Sequence, residues 1–309
     1  MHNFIKQAAL SVGFDACGIA KAEALPEDAA FMKKWLEEGK QGEMHYLARN
    51  FEKRTDPREL VPNCQSVVAL LLNYFPSQQQ PLHSPKIAKY AYSAVDYHSV
   101  IKDKLRRLEE FITAEYGADC INSTYQHSFV DSAPVFERRW AQRAGLGWIG
   151  KNTQLINPDF GSYCFIGILM LNCEVEEYDN PMPNRCGTCT RCIKSCPTSA
   201  LENGSMDARK CLSYLTIELK NEIPDEFSTY RSDTILGCDV CADVCPWNKK
   251  KARPHNHSEL APAPQILSWE KQDWEKLNEG DFNTLFQHST VKRAGFRKLK
   301  ENMKTGNRE

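Results

Sequence analysis

Eight of the 13 cysteines lie between residues 186 and 246, in two groups that each end in Cys-Pro. The first group has the spacing Cys-x2-Cys-x2-Cys-x3-Cys-Pro and consists of Cys186, Cys189, Cys192 and Cys196. In bacterial-type ferredoxins the first three thiolates of such a run bind one four-iron cluster, and the fourth reaches the other cluster. The second group has the spacing Cys-x26-Cys-x2-Cys-x3-Cys-Pro and consists of Cys211, Cys238, Cys241 and Cys245. The pattern predicts two [4Fe-4S] clusters.

The exchange of the last cysteine between the two groups defines a ligand set for each cluster. One set is Cys186, Cys189, Cys192 and Cys245, and the other is Cys196, Cys211, Cys238 and Cys241. Zinc is the main alternative, because Cys-x2-Cys pairs also form structural zinc sites, but zinc has no use for three evenly spaced cysteines followed by Cys-Pro. A disulfide framework is less favoured because no signal peptide precedes the cysteines. The remaining cysteines lack ligand spacing and are interpreted as small buried apolar residues: Cys17, Cys64, Cys120, Cys164 and Cys173.

The composition is that of a globular protein, with 309 residues, 41% hydrophobic and 26% charged, enough for one large domain or two ordinary ones. No apolar run approaches the ~20 residues that span a bilayer, which argues against an integral membrane protein. The N-terminus has no basic segment followed by an apolar one, so we expect a cytoplasmic protein without membrane contacts. We also expect a monomer, although the net charge of −1 says little by itself.

Two apolar runs, residues 66–75 and 163–171, predict strands buried on both faces. Residues 28–39 predict an amphipathic helix, and a second helix follows from apolar residues spaced along one face between residues 101 and 117. Residues 54–58 are interpreted as a loop because Pro follows Asp within them. Strands alternating with helices predict an α/β domain over the first part of the chain.

Residues 130–153 contain several signals for local structure. Asp131 or Ser132 is expected to cap a helix that Pro134 opens and Gly145 closes. Three glycines then allow a tight loop that a ligand could approach closely: Gly145, Gly147 and Gly150. From spacing alone, a capping role is favoured for Asp131.

Three stretches together resemble the epoxyqueuosine reductases: Val130-Asp-Ser-Ala-Pro134, Gly145-Leu-Gly-Trp-Ile-Gly-Lys-Asn152 and Cys238-Asp-Val-Cys241 with Cys245-Pro-Trp-Asn248. Further segments fit the same pattern: Asp56-Pro57-Arg58, Asp96-Tyr97-His98 and Cys211-Leu-Ser-Tyr-Leu-Thr216. The resemblance covers nearly the whole chain. It implies an oxidoreductase that reduces epoxyqueuosine to queuosine at the wobble position of tRNA, the last step of queuosine biosynthesis, using cobalamin and two [4Fe-4S] clusters.

The resemblance also implies an α/β (α+β) cobalamin-binding domain related to that of reductive dehalogenases, followed by a ferredoxin-like domain with two [4Fe-4S] clusters. On this basis we divide the chain into a catalytic domain (residues 1–175), a ferredoxin-like domain (176–255) and a C-terminal helical basic segment (256–309). The segment is too short for the helical repeats that some members carry.

By the same resemblance Asp131 aligns with the catalytic aspartate of the family, which makes it the expected proton donor. Its pKa would have to rise through burial for it to be protonated near neutral pH. The expected cobalamin contacts are Arg54, Lys151, Ser213 and Asp239. None of the eight histidines lies in the Asp-x-His-x-x-Gly setting of a cobalt ligand, so His45, His98 and His127 are interpreted as structural or surface residues.

Basic residues follow the second cysteine group directly: Lys249, Lys250, Lys251 and Arg253. Residues 292–309 add seven basic residues against two acidic ones. A basic tail is commonly a solvated or disordered end, but the position of Lys249, Lys250 and Lys251 favours contacts with the phosphates of a tRNA anticodon loop. Electrons would come from an external low-potential donor.

Two other functions are compatible with parts of the chain. A reductive dehalogenase-like cobalamin enzyme acting on a small molecule would be expected to carry an export signal, and it leaves the basic C-terminus unexplained. A ferredoxin-type electron carrier leaves residues 131–151 and the whole N-terminal domain without a task. The tRNA-modifying reductase accounts for all of these features.

Overall fold

The computed structural model describes residues 1–230 and 234–304. Its strands are β1 (Ala16–Lys21), β2 (Ser66–Asn73), β3 (Lys86–Ile87), β4 (Ser128–Phe129), β5 (Trp148–Ile149), β6 (Leu155–Ile156), β7 (Cys164–Leu171), β8 (Leu201–Glu202), β9 (Ser205–Met206) and β10 (Thr234–Leu236). Its α-helices are α1 (His2–Ser11), α2 (Pro26–Glu37), α3 (Phe51–Thr55), α4 (Pro57–Leu60), α5 (Tyr97–Tyr116), α6 (Glu137–Arg143), α7 (Arg191–Lys194), α8 (Leu212–Ile217), α9 (Val240–Asp243), α10 (Pro246–Lys251), α11 (Pro264–Ser268), α12 (Lys271–Lys276), α13 (Glu279–Leu285) and α14 (Phe296–Met303).

The main sheet has the strand order β1-β2-β7-β4, and each neighbouring pair is antiparallel. Both predicted buried strands are confirmed, since β2 is buried along its whole length and β7 along most of it. Alternate residues of β2 pack on opposite faces, against α1 and α5 on one side and against α6 on the other. Because the paired strands are antiparallel, the sheet is the α+β form of the predicted fold class.

Helix α5 is the longest helix and covers one face of the sheet. The Asp96 side chain caps its first turn by accepting the His98 backbone N–H at 2.9 Å, and Gly117 ends it at φ 82°. The apolar face enters the core as predicted, and Gly167 of β7 lets the helix approach, since a Cβ there would lie 3.1 Å from Ile101 Cγ2. The helix predicted over residues 28–39 is also confirmed, as α2.

The predicted loop at residues 54–58 is wrong. Thr55 ends α3, and Pro57 begins α4 after a single connecting residue, Asp56. The carboxylate of Asp56 accepts the backbone N–H of Arg58 at 3.0 Å and also pairs with its guanidinium. The same Asp-Pro pair that indicated a loop is therefore an N-cap followed by proline in the first turn, where its missing N–H costs nothing.

The C-terminal segment is folded over its described length. Helices α11 to α14 share one hydrophobic core with β3 and β10, built around Trp274, Phe282 and Phe286. In the predicted basic tail, Lys298 is only 8% exposed, and Lys300 donates to two backbone carbonyls. The described part of the tail is thus folded rather than disordered, although Lys292, Arg293 and Arg297 remain exposed to solvent. Residues 305–309, including Arg308 and Glu309, lie outside the described residues.

The segment between the sheet and the cysteine groups is anchored through Asp179. Its carboxylate accepts Lys6 Nζ at 2.6 Å and the Ile19 backbone N–H at 2.8 Å. Nearby, Cys120 and Cys173 are joined in a disulfide, which corrects their interpretation as separate apolar residues. Within the described residues, no helix has the length and apolarity needed to cross a membrane.

Asn302 offers a test of how the C-terminal helices are attached. It is completely buried, and its Nδ2 donates to the backbone carbonyls of Thr216 at 2.9 Å and Ile235 at 2.8 Å. Asn302→Ala leaves two buried carbonyls without this donor, so we expect a loss of about 1–3 kcal/mol in the free energy of unfolding. Thermal unfolding of the cluster-loaded protein under anaerobic conditions measures it as a lower Tm. Arg297→Ala, at a 92% exposed side chain, is the control and should change stability by less than about 0.5 kcal/mol. Equal melting temperatures for both variants would contradict this attachment.

Candidate active site

A cavity of about 320 Å³ lies between the sheet and the segments that carry the cysteines. The start of β7 contributes Cys164, Phe165 and Ile166 to its wall. Residues of α5 and α6 and of the segments before them line a second part of the wall. Residues of α8, of α9 and of the segment before α9 line a third part. The polar and titratable lining residues are Tyr74, Tyr90, Tyr97, Asp131, Glu137, Arg138, Gln154, Ser162, Ser213, Cys238, Asp239 and Cys241.

Asp131 lies in the wall of this cavity and does not cap a helix. Helix α6 begins six residues later, at Glu137, with Phe136 at its N-cap and no side-chain cap. The capping role expected for Asp131 is therefore wrong, whereas Gly145 follows the end of α6 at φ 71°, as predicted. Asp131 has a φ of 51°, a left-handed conformation that costs free energy and is often found at active sites.

The surroundings of the Asp131 carboxylate differ from the buried setting that its expected role requires. Its side chain is 43% exposed because it faces the cavity. Tyr97 Oη donates a short hydrogen bond to Oδ2, and His98 Nε2 lies 3.5 Å from the same oxygen. Hence the carboxylate is open to a ligand while being held from one side by α5.

The neighbouring carboxyl group, that of Glu137, is the one whose pKa is raised by burial. Its Oε1 accepts the Asp131 backbone N–H at 2.5 Å. Enclosure by protein raises the pKa of Glu137 well above its usual range, and the nearby Asp131 carboxylate raises this pKa further. Arg138, beside it in the cavity wall, donates to the Thr153 carbonyl at 2.7 Å. The site therefore contains a pair of interacting carboxyl groups.

Tyr97 and His98 were not predicted to act in the site, although the segment Asp96-Tyr97-His98 was recognised as part of a family pattern. The Tyr97 ring stacks on Phe165 at 3.8 Å, and burial raises the pKa of its hydroxyl, which keeps it a hydrogen-bond donor. His98 Nδ1 lies 2.7 Å from Asp96 Oδ1, which orients the ring towards Asp131. The interpretation of His98 as an ordinary structural or surface residue is incomplete, whereas His127 bonds backbone carbonyls as a structural residue does.

Lys89 connects the cavity wall to the cysteine-bearing segment. Its backbone N–H donates to Asp239 Oδ2 at 2.7 Å, and its Nζ lies 3.4 Å from the same oxygen and 2.7 Å from Asp243 Oδ1. Burial raises the pKa of Asp239, with Lys89 acting in the opposite direction. Tyr163 Oη donates to the same Asp243 oxygen, so this network links the residue before β7 to the cysteine-bearing segment.

The eight cysteines form two sets of electrostatic neighbours. Burial raises the pKa of Cys192, and the thiols that add to this rise are Cys186, Cys189 and Cys245. Burial also raises the pKa of Cys238 to about 12, with smaller contributions from Cys211 and Cys196. Cys241 interacts with Cys238 and Cys211, and more weakly with Cys192 of the first set. In the described part of the chain, no three His, Cys, Asp or Glu side chains are arranged to hold a single metal ion.

Several polar groups near the cavity are buried without a hydrogen-bond partner among the described residues. They include Arg54 Nε, Asn152 Nδ2 and Thr153 Oγ1. Arg54 interacts with Glu137 and lies over the Phe136 ring at 6.0 Å. Buried donors are normally satisfied, but none of these three residues is among those that line the cavity.

The other residues predicted to bind a ligand are found in three different environments. Ser213 and Asp239 line the cavity. Lys151 instead donates to the Gly187 carbonyl at 2.8 Å, between the first two cysteines of their group. Lys249, Lys250 and Lys251 form the last turn of α10, with the first two exposed.

Two family models match the chain. Residues 54–132 match the model described as epoxyqueuosine reductase QueG, DUF1730, and residues 185–248 match a 4Fe-4S double cluster binding domain. The epoxyqueuosine reductase of Cellulophaga algicola is 47% identical over 302 residues, which cover 97% of this chain and 96% of that protein. The corresponding enzyme of Leadbetterella byssophila is 46% identical over 299 residues, with the same coverage of both chains.

Solved structures of epoxyqueuosine reductases share the fold. A crystal structure of one with an epoxyqueuosine-modified tRNA-Tyr stem loop is 30% identical, with a TM-score of 0.82 and coverage of 97% of this chain and 78% of that one. The structure from Bacillus subtilis, with its catalytic loop swung out of the active site, has the same identity, TM-score and coverage.

Proposed function

The chain belongs to the epoxyqueuosine reductase family of oxidoreductases, and we propose that it reduces epoxyqueuosine in tRNA to queuosine. The observation that carries the proposal is a single cavity lined by Asp131 from one half of the chain and by Cys238 and Cys241 from the other. A proton donor and a thiolate-bound electron source therefore share one space. Neither an electron carrier nor a dehalogenase is favoured, given the family of the chain. Such an enzyme works where tRNA is found, in the cytoplasm.

The electron source in this proposal is a pair of [4Fe-4S] clusters with crossed ligands. The first is held by Cys186, Cys189, Cys192 and Cys245, and the second by Cys196, Cys211, Cys238 and Cys241. The neighbour relations among the thiols support this assignment. Because Cys238 and Cys241 line the cavity, the second cluster is the one that hands electrons to the site, after they enter from an external low-potential donor.

Cobalamin is the proposed cofactor of the cavity, and it supplies a cobalt centre that exchanges electrons one at a time. Ser213 and Asp239 in the wall suit a ligand rich in amide groups, and the unpartnered Arg54 Nε belongs to a side chain that interacts with Glu137 of the same wall. Lys151 is a weaker candidate because the Gly187 carbonyl already accepts from it. These residues would bind and orient the cofactor.

Asp131 is the proposed proton donor. Opening an epoxide and releasing its oxygen as water takes two electrons and two protons, and an unassisted alkoxide is a poor product near neutral pH. Tyr97 and His98 hold the carboxyl group at the cavity from one side, which leaves its other oxygen for the substrate.

The proposed tRNA-docking surface is the last turn of α10. Lys249, Lys250 and Lys251 follow Cys245 closely in the chain, so phosphates bound there would flank a base inserted into the cavity. An unpaired anticodon loop allows a base to be splayed out in this way. Phosphate contacts supply affinity and salt dependence without base specificity.

Asp131→Asn tests the proton donor. The amide keeps the shape of the carboxyl group but has no acidic proton, so we expect conversion of epoxyqueuosine to fall about 10²–10⁴-fold with iron and cobalamin content retained. Asp119→Asn, at an exposed loop position, is the control and should remain fully active. Turnover near that of the wild type in Asp131→Asn would show that Asp131 has only a structural role.

Cysteine variants test the crossed ligand sets. Cys211→Ala and Cys238→Ala should damage the same cluster, so the double variant should keep about as much iron as either single variant, roughly four atoms per chain. Combining Cys211→Ala with Cys189→Ala should instead damage both clusters. Iron and sulfide analysis with electron paramagnetic resonance makes the measurement. Stoichiometric zinc with negligible sulfide in the anaerobically purified wild type would contradict the clusters altogether.

Replacing Lys249, Lys250 and Lys251 together by Gln tests the docking surface. We expect weaker tRNA binding and a flatter dependence on salt, by about 0.7–0.9 in the log–log slope for each phosphate that is no longer neutralised, with unchanged cluster content. The matched control neutralises three exposed lysines on β1 and α2, Lys21, Lys33 and Lys34, and should leave the slope as it is. Equal slopes for the two triple variants would exclude this surface.

A further inference from the structure

The reduction places a demand on the site that one carboxyl group does not meet. Both protons end on the same oxygen, the first when the epoxide opens and the second when that oxygen leaves as water. Asp131 faces the cavity but carries only one proton at a time. It must therefore be reloaded within each turnover.

Glu137 is positioned to reload it. As the first residue of α6, it reaches back to the preceding loop, where its Oε1 accepts the Asp131 backbone N–H at 2.5 Å. Both side chains line the cavity, and their carboxyl groups are close enough to interact electrostatically. Neighbouring carboxyl groups on one cavity wall can exchange a proton without rearrangement of the backbone.

We propose that Glu137 stores the second proton of the reaction and passes it to Asp131 within each turnover. The inference rests on the proposed function, since it concerns the delivery of protons to the epoxide oxygen. Glu137 acts through Asp131 and is a positioning residue in this sense, while Asp131 touches the substrate.

The step balances in protons and electrons. Asp131 gives its proton to the epoxide oxygen as the first carbon–oxygen bond breaks, and it becomes a carboxylate. Glu137 then protonates this carboxylate, and Asp131 donates again as the second carbon–oxygen bond breaks and water leaves. Two electrons from the low-potential donor complete the reduction to the alkene. Both carboxylates regain protons from solvent after product release.

The environment of Glu137 favours storage of a proton. Enclosure by protein keeps its pKa well above the usual range, so the group stays protonated at pH values where an exposed glutamate has ionised. Because like charges disfavour two adjacent carboxylates, Glu137 keeps its proton while Asp131 is ionised, and the second donation to the leaving oxygen draws that proton through Asp131.

Charged and titratable groups face the pair from three elements. On α6, Arg138 favours the ionised form of Glu137, and Arg54 does the same from α3. On α5, Tyr97 and His98 contact Asp131. The two arginines stabilise the negative charge that builds up as both protons leave. They do not outweigh the effect of enclosure, because the pKa of Glu137 remains raised.

A purely structural role for Glu137 predicts different behaviour in matched variants. In Glu137→Gln the amide oxygen still accepts the Asp131 N–H, but no acidic proton is stored; in Glu137→Ala both are lost. If Glu137 only fixes the backbone of Asp131, Glu137→Gln should act like the wild type and only Glu137→Ala should be impaired. If Glu137 stores a proton, kcat should be lower in both Glu137→Gln and Glu137→Ala. We expect a decrease of about 10²-fold in Glu137→Gln, with KM for tRNA unchanged.

The pH profile separates the two roles further. Wild-type kcat should fall as pH rises through the raised pKa of Glu137, because the stored proton is then missing. In Glu137→Gln this fall should move to lower pH, whereas a structural role leaves its position unchanged. Glu109→Gln is a matched control, since burial also raises the pKa of Glu109, which lies beside Ser128.

An infrared titration provides a readout independent of activity. The wild-type protein near neutral pH should show a protonated carboxyl band that is absent in Glu137→Gln and retained in Asp119→Asn. A Glu137→Gln variant with wild-type kcat and pH profile, or an unchanged carboxyl band, would overturn the inference. If wild-type protein loaded with clusters and cobalamin left epoxyqueuosine unreduced, the proposed function itself would fail, and the infrared result would still decide whether Glu137 is protonated.

Discussion

The side chain of Asn248 joins the two halves of the molecule, and the cavity depends on this contact. It is 4% exposed; its Oδ1 accepts the Ser162 backbone N–H at 2.7 Å, and its Nδ2 donates to Ser162 Oγ and the Ala242 carbonyl at 2.8 Å each. Gly161 permits the contact, because a Cβ there would lie only 2.2 Å from Asn248 Oδ1. Asn248 stands three residues after Cys245, so the same short segment carries a thiol and the link to the loop before β7.

Different interactions hold the two halves of the site, the one with Asp131 and the one with the cysteines, in place. The proton-donating half rests on the sheet: Tyr97 packs flat on Phe165 of β7, and its hydroxyl then holds Asp131. The cysteine-bearing half has few long elements, and Lys89 fastens it through Asp239 and Asp243. Sheet packing fixes the acid, while polar contacts fix the thiols beside it. In the proposed reaction this division keeps electrons and protons on separate routes until they meet at the substrate.

Features with a strong local signal could be predicted from the sequence. The apolar runs of β2 and β7 allowed no other interpretation, and the face of α5 followed from a spacing of three and four residues. The Asp-Pro pair at residues 56–57 was misread because a capped helix start and a loop share the same residues. The C-terminal core was missed because its apolar residues are shared among four short helices and two strands that are distant in the chain.

The site was harder to predict because it is assembled by tertiary contacts. Spacing alone suggested that Asp131 caps a helix, and only the fold brings Tyr97 and His98 to it from 34 and 33 residues earlier in the chain. Glu137 carries no sequence signal beyond its place in a recognised stretch, since its raised pKa arises from enclosure. The disulfide between Cys120 and Cys173 likewise requires the loop between α5 and β4 to fold beside the end of β7.

The central claim is that one cavity brings electrons and protons to an epoxide carried by tRNA. Its most direct test incubates the anaerobically reconstituted, cobalamin-loaded protein with a low-potential reductant and tRNA containing epoxyqueuosine, followed by mass spectrometry of the released nucleosides. The account predicts that epoxyqueuosine is replaced by a nucleoside lighter by one oxygen atom, queuosine, only when protein, cobalamin and reductant are all present. Unchanged epoxyqueuosine in the presence of intact clusters and bound cobalamin would contradict it.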